Sequence, residues 1–311
     1  KTFYCSKCLK SFQNKRQRDE HVKNCEQTGE RKELVPSPGK ETISFEKHEN
    51  KFKRDLVGYL DFECELRETI NKCTSCHTVR CKCDESYTRN EQEHKPICFS
   101  FVLLNKGGEL LEEKSFVGHQ AADEFIEYIL DIEKKWIRSY LNTSIDMNSM
   151  SKTEMSSFER AENCYMCGKC FTSTDTKVRD HDHSDGSFVG AAHNSCNLRR
   201  RRQKKVNIYI HNGASYDFQF IVKAMFKRKL EVYILPHNSE KFRMIKFNSF
   251  ILLDSLAFLQ ASLSQLADDL QTSGHSYNIL KQSDITHSNG LFDAEKFHLL
   301  LQKGYFCYDY W

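Results

Sequence analysis

Two carboxylates lie two residues apart in the apolar run Val57-Gly58-Tyr59-Leu60-Asp61-Phe62-Glu63-Cys64. The run reads as a strand, in which alternate side chains share a face. Asp61 and Glu63 therefore point the same way as Val57 and Tyr59, and Leu60, Phe62 and Cys64 face the other side. Acidic groups about 7 Å apart along a strand repel each other unless a cation lies between them. Mg2+, or Mn2+ in its place, takes carboxylate oxygens and keeps waters for reaction. An isolated Asp-x-Glu is more often a solvent-facing pair at a strand end, so context decides. Downstream, Ile208 to Asp217 reads as strand, glycine-containing turn and helix. Asp217 falls at the helix start, where the dipole and free N–H groups suit an anion. Asn212 falls at the end of the preceding strand.

Fourteen cysteines are many for a chain without a secretory signal, and they cluster as Cys-x-x-Cys pairs near histidines. That is thiolate–metal spacing rather than a disulfide framework, and it implies a reducing compartment. Cys164, Cys167, His193 and Cys196 supply four ligands spaced for tetrahedral Zn2+, with Cys170 a further regularly spaced thiol able to displace one of them. Between the pairs lies Asp180-His181-Asp182-His183, and Asn197 follows the last cysteine. Cys5, Cys8, His21 and Cys25 repeat the theme as Cys-x2-Cys-x12-His-x3-Cys, with Phe3 and Phe12 at small-core positions and Arg18 where leucine is expected. Cys73, Cys76, Cys81 and Cys83 form a third zinc candidate, although Cys81-Lys82-Cys83 is tightly spaced. Cys64, Cys98 and Cys307 sit in apolar surroundings and read as core.

These residues need elements to hold them. Residues 1–26 form a compact Cys/His unit, and 27–51 a polar linker. The remainder, 52–311, reads as one α/β domain interrupted at 71–93 and 160–203. Strands are expected at 56–66, 97–104 and 110–117, the last two joined through Asn105-Lys106-Gly107-Gly108 as a hairpin. Phe125, Ile129, Ile132 and Trp136 mark an amphipathic helix, and 142–155 a linker. Further strands are expected at 206–211, 231–235, 244–247 and 250–254, with helices at 216–227 and along Leu259, Leu263, Leu266 and Leu270. The net charge of +3 is too small to argue for nucleic acid alone. The run Arg199-Arg200-Arg201-Arg202 is more telling: it suits DNA phosphates, a nuclear import signal or a solvated joint, with DNA contact preferred because it follows Asn197. No apolar stretch is long enough to span a bilayer.

Asp61-Phe62-Glu63 resembles the first exonuclease motif of family B DNA polymerases, and Asn212 to Asp217 the second, Asn-x-x-x-(Phe/Tyr)-Asp. The finer resemblance is to the organellar, viral and Polinton-type protein-primed branch. It is carried by Ser86-Tyr87-Thr88 with His94-Lys95-Pro96, by Asp254-Ser255-Leu256-Ala257-Phe258-Leu259 with Ser262-Leu263, and by Lys303-Gly304-Tyr305-Phe306 with Tyr308-Asp309-Tyr310. It covers most of 52–311. It implies an RNase H-like mixed sheet with small zinc-bound insertions, and 3′→5′ proofreading with two metal ions. By that resemblance Asp61 bridges both ions, Glu63 binds the nucleophile-side ion, Asp217 supports the second, and Asn212 orients the terminal nucleotide. Tyr305 and Asp309 fit the third motif, Tyr-x-x-x-Asp, by position. In this branch, however, the Lys-Gly-x-Phe segment precedes that motif, and Cys307 replaces a proline, so neither is expected to be catalytic. No Ser-Leu-Tyr-Pro or Tyr-x-Asp-Thr-Asp segment appears. With ends at Lys1 and Trp311 that look like cuts, the chain reads as an N-terminal fragment without its polymerising half.

Residues 164–199 resemble the recombination endonuclease VII group of His-Me finger nucleases. That implies His181 as general base, His183 as an assistant at most, and Asp180 and Asn197 as holders of one magnesium. His193 stands where the group more often has cysteine. The partners implied are DNA (single-stranded 3′ ends, duplex or branched) and a terminal priming protein. Two other functions stay open: a domesticated transposon fragment that binds nucleic acid through zinc modules and cuts nothing, and an endonuclease using the sheet as scaffold.

Overall fold

The computed structural model describes residues 2–8, 10–25, 37, 45–68, 92–200, 204–238 and 241–301. The third cysteine cluster, Arg201, Arg202, Tyr305, Cys307 and Asp309 lie outside them. Two compact units divide the chain, Lys1–Lys47 and His48–Trp311.

In the first unit β1 (Phe3–Tyr4) pairs antiparallel with β2 (Ser11–Phe12), and α1 (Lys15–Cys25) follows. Asn14 starts the helix by accepting the Gln17 N–H at 2.9 Å. Phe3, Phe12 and Arg18 are all half-buried, Arg18 as a charged side chain. Its charge is met there by Asp19 at 2.6 Å.

The second unit is built on a seven-stranded mixed sheet. Its first strands are β3 (Leu56–Glu68), β4 (Gln92–Asn105) and β5 (Leu110–Val117), an antiparallel meander. The β4–β5 turn closes on Asn105, whose side chain accepts the N–H groups of Gly107 and Glu109, with Gly108 at φ 83°. Later strands are β8 (Val206–Ile210), β9 (Tyr233–Pro236), β10 (Phe242–Phe247) and β11 (Phe250–Asp254). The order across the sheet is β5-β4-β3-β8-β11-β10-β9, with β3, β8 and β11 mutually parallel at the centre. This mixed α/β arrangement is compatible with an RNase H-like exonuclease fold.

Two helices, α2 (Ala121–Ile132) and α6 (Asp217–Lys227), cover one face of the sheet. Leu60, Phe62 and Cys64 meet that core, while Tyr59 and Asp61 open to the other face, as period-two alternation requires. Phe125 is its centre, with ring centroids 5.9 Å from Phe62, 5.5 Å from Phe99 and 5.9 Å from Phe101. The helical spacing expected through Trp136 departs here. A π turn at Glu133–Ile137 inserts an extra residue before α3 (Arg138–Asn142), so Ile137 enters the core instead. Trp136 moves to the edge and donates to Glu112 at 2.7 Å. Glu133, buried at the same turn, accepts Ser249 N–H and hydroxyl at 3.1 and 2.6 Å and Asn248 at 2.9 Å, tying the helix to the β10–β11 hairpin.

The expected linker before the second Cys/His unit is helical in its later part. α4 (Lys152–Arg160) starts at a capping box between Ser151 and Glu154. Then come β6 (Lys177–His181), β7 (Phe188–His193) and α5 (Asn194–Arg199). α7 (Leu263–Thr272) starts only after Ser262, which leaves Leu259 outside the helix. Two-residue strands β12 (His287–Ser288) and β13 (Leu291–Phe292) and α8 (Ala294–Leu300) complete the described chain. Among the described residues no helix is long and apolar enough to cross a membrane.

Phe125→Ala should destabilise this unit by about 3–5 kcal/mol through the cavity it leaves. Denaturant unfolding followed by far-UV circular dichroism measures the loss.

Candidate functional site

Strand register brings the acids together. Tyr59 lies level with Tyr209, and Ile210 with Asp254, so β3, β8 and β11 send their carboxyl ends to one side of the sheet. Open α/β sheets bind ligands beyond such ends. Asp61 extends β3 there, Glu63 follows just before a bulge, and Asp254 closes β11. The chain leaving β8 passes through Asn212 and a short 3-10 turn, Gly213–Ser215, into α6 at Asp217.

That turn is held by Asp254. Its carboxylate accepts the N–H groups of Asn212 at 2.9 Å, Ala214 at 3.2 Å and Leu256 at 2.9 Å. Asn212 takes the left-handed conformation, φ 61°. Gly213 leaves no room for a side chain: a Cβ there would lie 2.8 Å from Ile210 and 2.9 Å from Phe218. Asp254 is the site residue that motif spacing does not flag. The available signal was an acid ending a strand before Ser-Leu. His211 is fixed at both ring nitrogens, by Ser255 at 3.0 Å and the Ala261 carbonyl at 2.9 Å. Tyr216 meets His94 at 2.5 Å.

Asp217 is 3% exposed, and its Oδ1 has no hydrogen-bond partner. Burial pushes its carboxyl up to about 7, Asp61 and Asp254 add to the rise, and N–H groups of Asp217 itself and Phe62 oppose it. Asp61 is pushed up to about 6 by burial first and Glu63 second. Its side chain nevertheless reaches solvent, which weakens the effect, so Asp217 is the stronger indicator. Asp61, Glu63 and Asp217 do not close to the mutual 4.8 Å that the thiolate clusters reach. Like charges without a counter-ion have that reason to stay apart. Hard oxygen donors and an orphaned buried oxygen fit a divalent cation. A cleft of about 1330 Å³ is lined by Val57, Tyr59 and Tyr209, with Lys53, Arg54 and Lys106 among its cations.

Both described Cys/His groups are assembled. Cys5, Cys8, His21 and Cys25 form one, and Cys164, Cys167, His193 and Cys196 the other, each with ligand atoms within 4.8 Å of one another. In the first, Cys8 Sγ is 3.1 Å from His21 Nε2, and the Cys8 backbone N–H leads the effects that bring Cys5 down to about 6. In the second, burial raises Cys164, but the N–H groups of Cys167, His193 and Met166 outweigh it and bring the thiol to about 7. His193 turns Nδ1 toward Cys167 Sγ at 3.5 Å, and its Nε2 donates to the Cys170 carbonyl at 3.3 Å. An outer partner of that kind orients a metal-binding imidazole. Cys170 thus contributes its carbonyl, and its thiol is exposed. Both groups can hold zinc.

Around the second group, Asp180 and His181 end β6, and Asn197 lies half-buried on α5. The His181 and His183 rings are 4.6 Å apart, and His183 meets Ser144 at 3.1 Å. Asp180 is 2% exposed and bonded to Tyr165 and Arg200. Arg200 is therefore turned inward rather than toward solvent. Arg199 is exposed but lies along its own helix, donating to the Ser195 carbonyl at 3.2 Å.

Residues 197–311 match the family model described as DNA polymerase type B, organellar and viral. The match covers just over a third of the chain, with Asn212, Asp217 and Asp254 inside it and Asp61, Glu63 and the zinc ligands before it. No curated protein is matched.

Two outcomes follow from this geometry. Cys164→Ser should lower the zinc content by one equivalent in native mass spectrometry, leaving the finger's zinc in place. Asp217 and Asp61 have folded-state values above those of the unfolded chain, so without divalent ions their contribution to stability is present below about pH 4 and lost as pH rises toward 7. Asp217→Asn should remove most of that slope and stabilise the metal-free protein at pH 8 by at least about 1 kcal/mol, as read from urea midpoints.

Proposed function

We propose that this chain hydrolyses phosphodiesters at 3′ ends of DNA, as the exonuclease region of a protein-primed, family B-type DNA polymerase. The observation that carries it is buried Asp217 at the start of α6, with an oxygen lacking a partner and its carboxyl raised first by burial and then by nearby Asp61 of β3. The similarity of residues 197–311 to organellar and viral type B polymerases supports the same class.

Two Mg2+ or Mn2+ ions bound there would supply an activated water and neutralise the leaving 3′ oxygen. Asp61, the most central of the acids, would face both ions, Glu63 the ion on the attacking side, and Asp217 the other. Asp217 would give up its proton there, because a cation offsets the burial, and after it the repulsion from Asp61 and Asp254, that raise its pKa. Asn212, held in its turn by Asp254, would orient the terminal nucleotide. The cleft beside Tyr59 and Tyr209 is lined by none of these acids but opens on the sheet face of Asp61, and its exposed Tyr59 ring would stack on a base of an unpaired strand. Such a polymerase would take a terminal priming protein as partner, and the first Cys/His finger and Arg199 offer further contacts to DNA.

Magnesium-dependent release of single nucleotides from 3′-labelled single strands is the test. Asp61→Ala and Asp217→Ala should each lower the rate at least about a hundredfold, the scale of losing one preorganised electrostatic partner. Binding without any release would leave a zinc-stabilised DNA-binding protein. Nicking of branched duplex abolished by His181→Ala would move the chemistry to the insertion.

A further inference from the structure

The resemblance to His-Me finger nucleases calls for a magnesium ion at Asp180 and Asn197, and the contacts around Asp180 do not fit one. Asp180 Oδ2 accepts both the Tyr165 hydroxyl and Arg200 Nη1, the latter at 2.8 Å, on a side chain only 2% exposed. The same guanidinium reaches the His181 carbonyl at 3.4 Å and Asp182 Oδ2 at 3.7 Å, and it lies 4.9 Å above the Phe52 ring. Asp182 is engaged as well, by Lys106 at 3.0 Å and by the hydroxyl and N–H of Ser184 at 2.5 and 2.8 Å. Magnesium keeps most of its waters and needs a nearly octahedral shell. A buried carboxylate already holding a cation and a hydroxyl offers neither the room nor the charge.

We infer that Arg200 is a built-in cation at Asp180, so that the insertion is a zinc-supported structural module and not a metal-dependent nuclease. A planar guanidinium suits this place, because it satisfies two carboxylates and a carbonyl at once and stacks on an aromatic ring. Evicting it would strand a half-buried charge over Phe52 and leave Asp180 without its counter-ion. The pair also has a mechanical consequence. Arg200 follows α5, which carries the zinc-type ligand Cys196, and the chain then continues into β8 and the Asn212 turn. Arg200 on Phe52 joins the insertion to the segment before β3, and Lys106 on the Asp182–Asp185 loop joins it to the β4–β5 turn.

The test is Mn2+ titration of the full chain, zinc retained, followed by electron paramagnetic resonance. Asp61→Asn and Asp217→Asn in the background remove the other divalent site. With Arg200 in place, no Mn2+ should bind with Kd below about 1 mM. Arg200→Gln should gain one Mn2+, and adding Asp180→Asn should remove it again. Arg200→Lys, which keeps the charge, should gain none. A Mn2+ site already present with Arg200 intact and lost on Asp180→Asn overturns the inference, and this arm needs no change at Arg200. So does an Arg200→Gln protein with full zinc content that gains no site, and so does magnesium-dependent nicking abolished by His181→Ala.

Discussion

Like charges gathered at one edge of a sheet are the constraint on which the second unit depends. Three central strands run parallel, and β8 and β11 finish level while β3 runs on past them, which delivers Asp61, Asp254 and the turn leading to Asp217 to the same side. Asp217 is buried there, with an oxygen lacking a partner, and its carboxyl is pushed up to about 7. A charge so buried is costly, so the surrounding structure has to hold the carboxylate in place. The phenylalanine cluster around Phe125 and the Glu133 anchor to the β10–β11 hairpin provide that support from the opposite face.

Asp254 shows how positioning and metal binding can be divided among acids that look equivalent. Its carboxylate accepts three backbone N–H groups and fixes the Asn212–Ala214 turn. A carboxylate so occupied has little capacity left for a cation, whereas Asp217 keeps a free oxygen. The difference arises from backbone geometry. Asp254 faces a turn whose N–H groups it accepts, and Asp217 faces the strand that carries Asp61.

Much of this was legible before any coordinates. Period-two alternation is enough to put Asp61 and Glu63 on one face of β3, and the strand–turn–helix signature is enough to put Asp217 at a helix start. The two cysteine-histidine groups were legible because ligand spacing within a hairpin and helix is a local property. What was hidden depends on distant partners. The role of Asp254 needs the parallel pairing of β11 with β8, separated by more than forty residues. The π turn that exchanges Trp136 for Ile137 is set by the demand of Ser249 and Asn248 for the Glu133 carboxylate. Arg200 reads from sequence as part of an outward basic run, and only the folded hairpin reveals the carboxylate waiting for it.

The insertion can be understood from the size of its core. Its buried apolar cluster is only Cys164, Met166, Ala192 and Cys196, ringed by the half-buried Phe52, Tyr165, Phe171 and Val178, and two of the four are candidate zinc ligands. A unit this small cannot offset its conformational entropy by burial alone. Zinc binding couples directly to folding in such units. The Arg200–Asp180 pair closes the end of the hairpin, where β6 has no further apolar side chain to contribute. A module tied down by Lys106 and Arg200, with a Cys/His group able to hold zinc, can therefore interrupt the sheet domain between α3 and β8. The turn at Asn212, only a few residues beyond, can then keep the geometry the carboxylate edge requires.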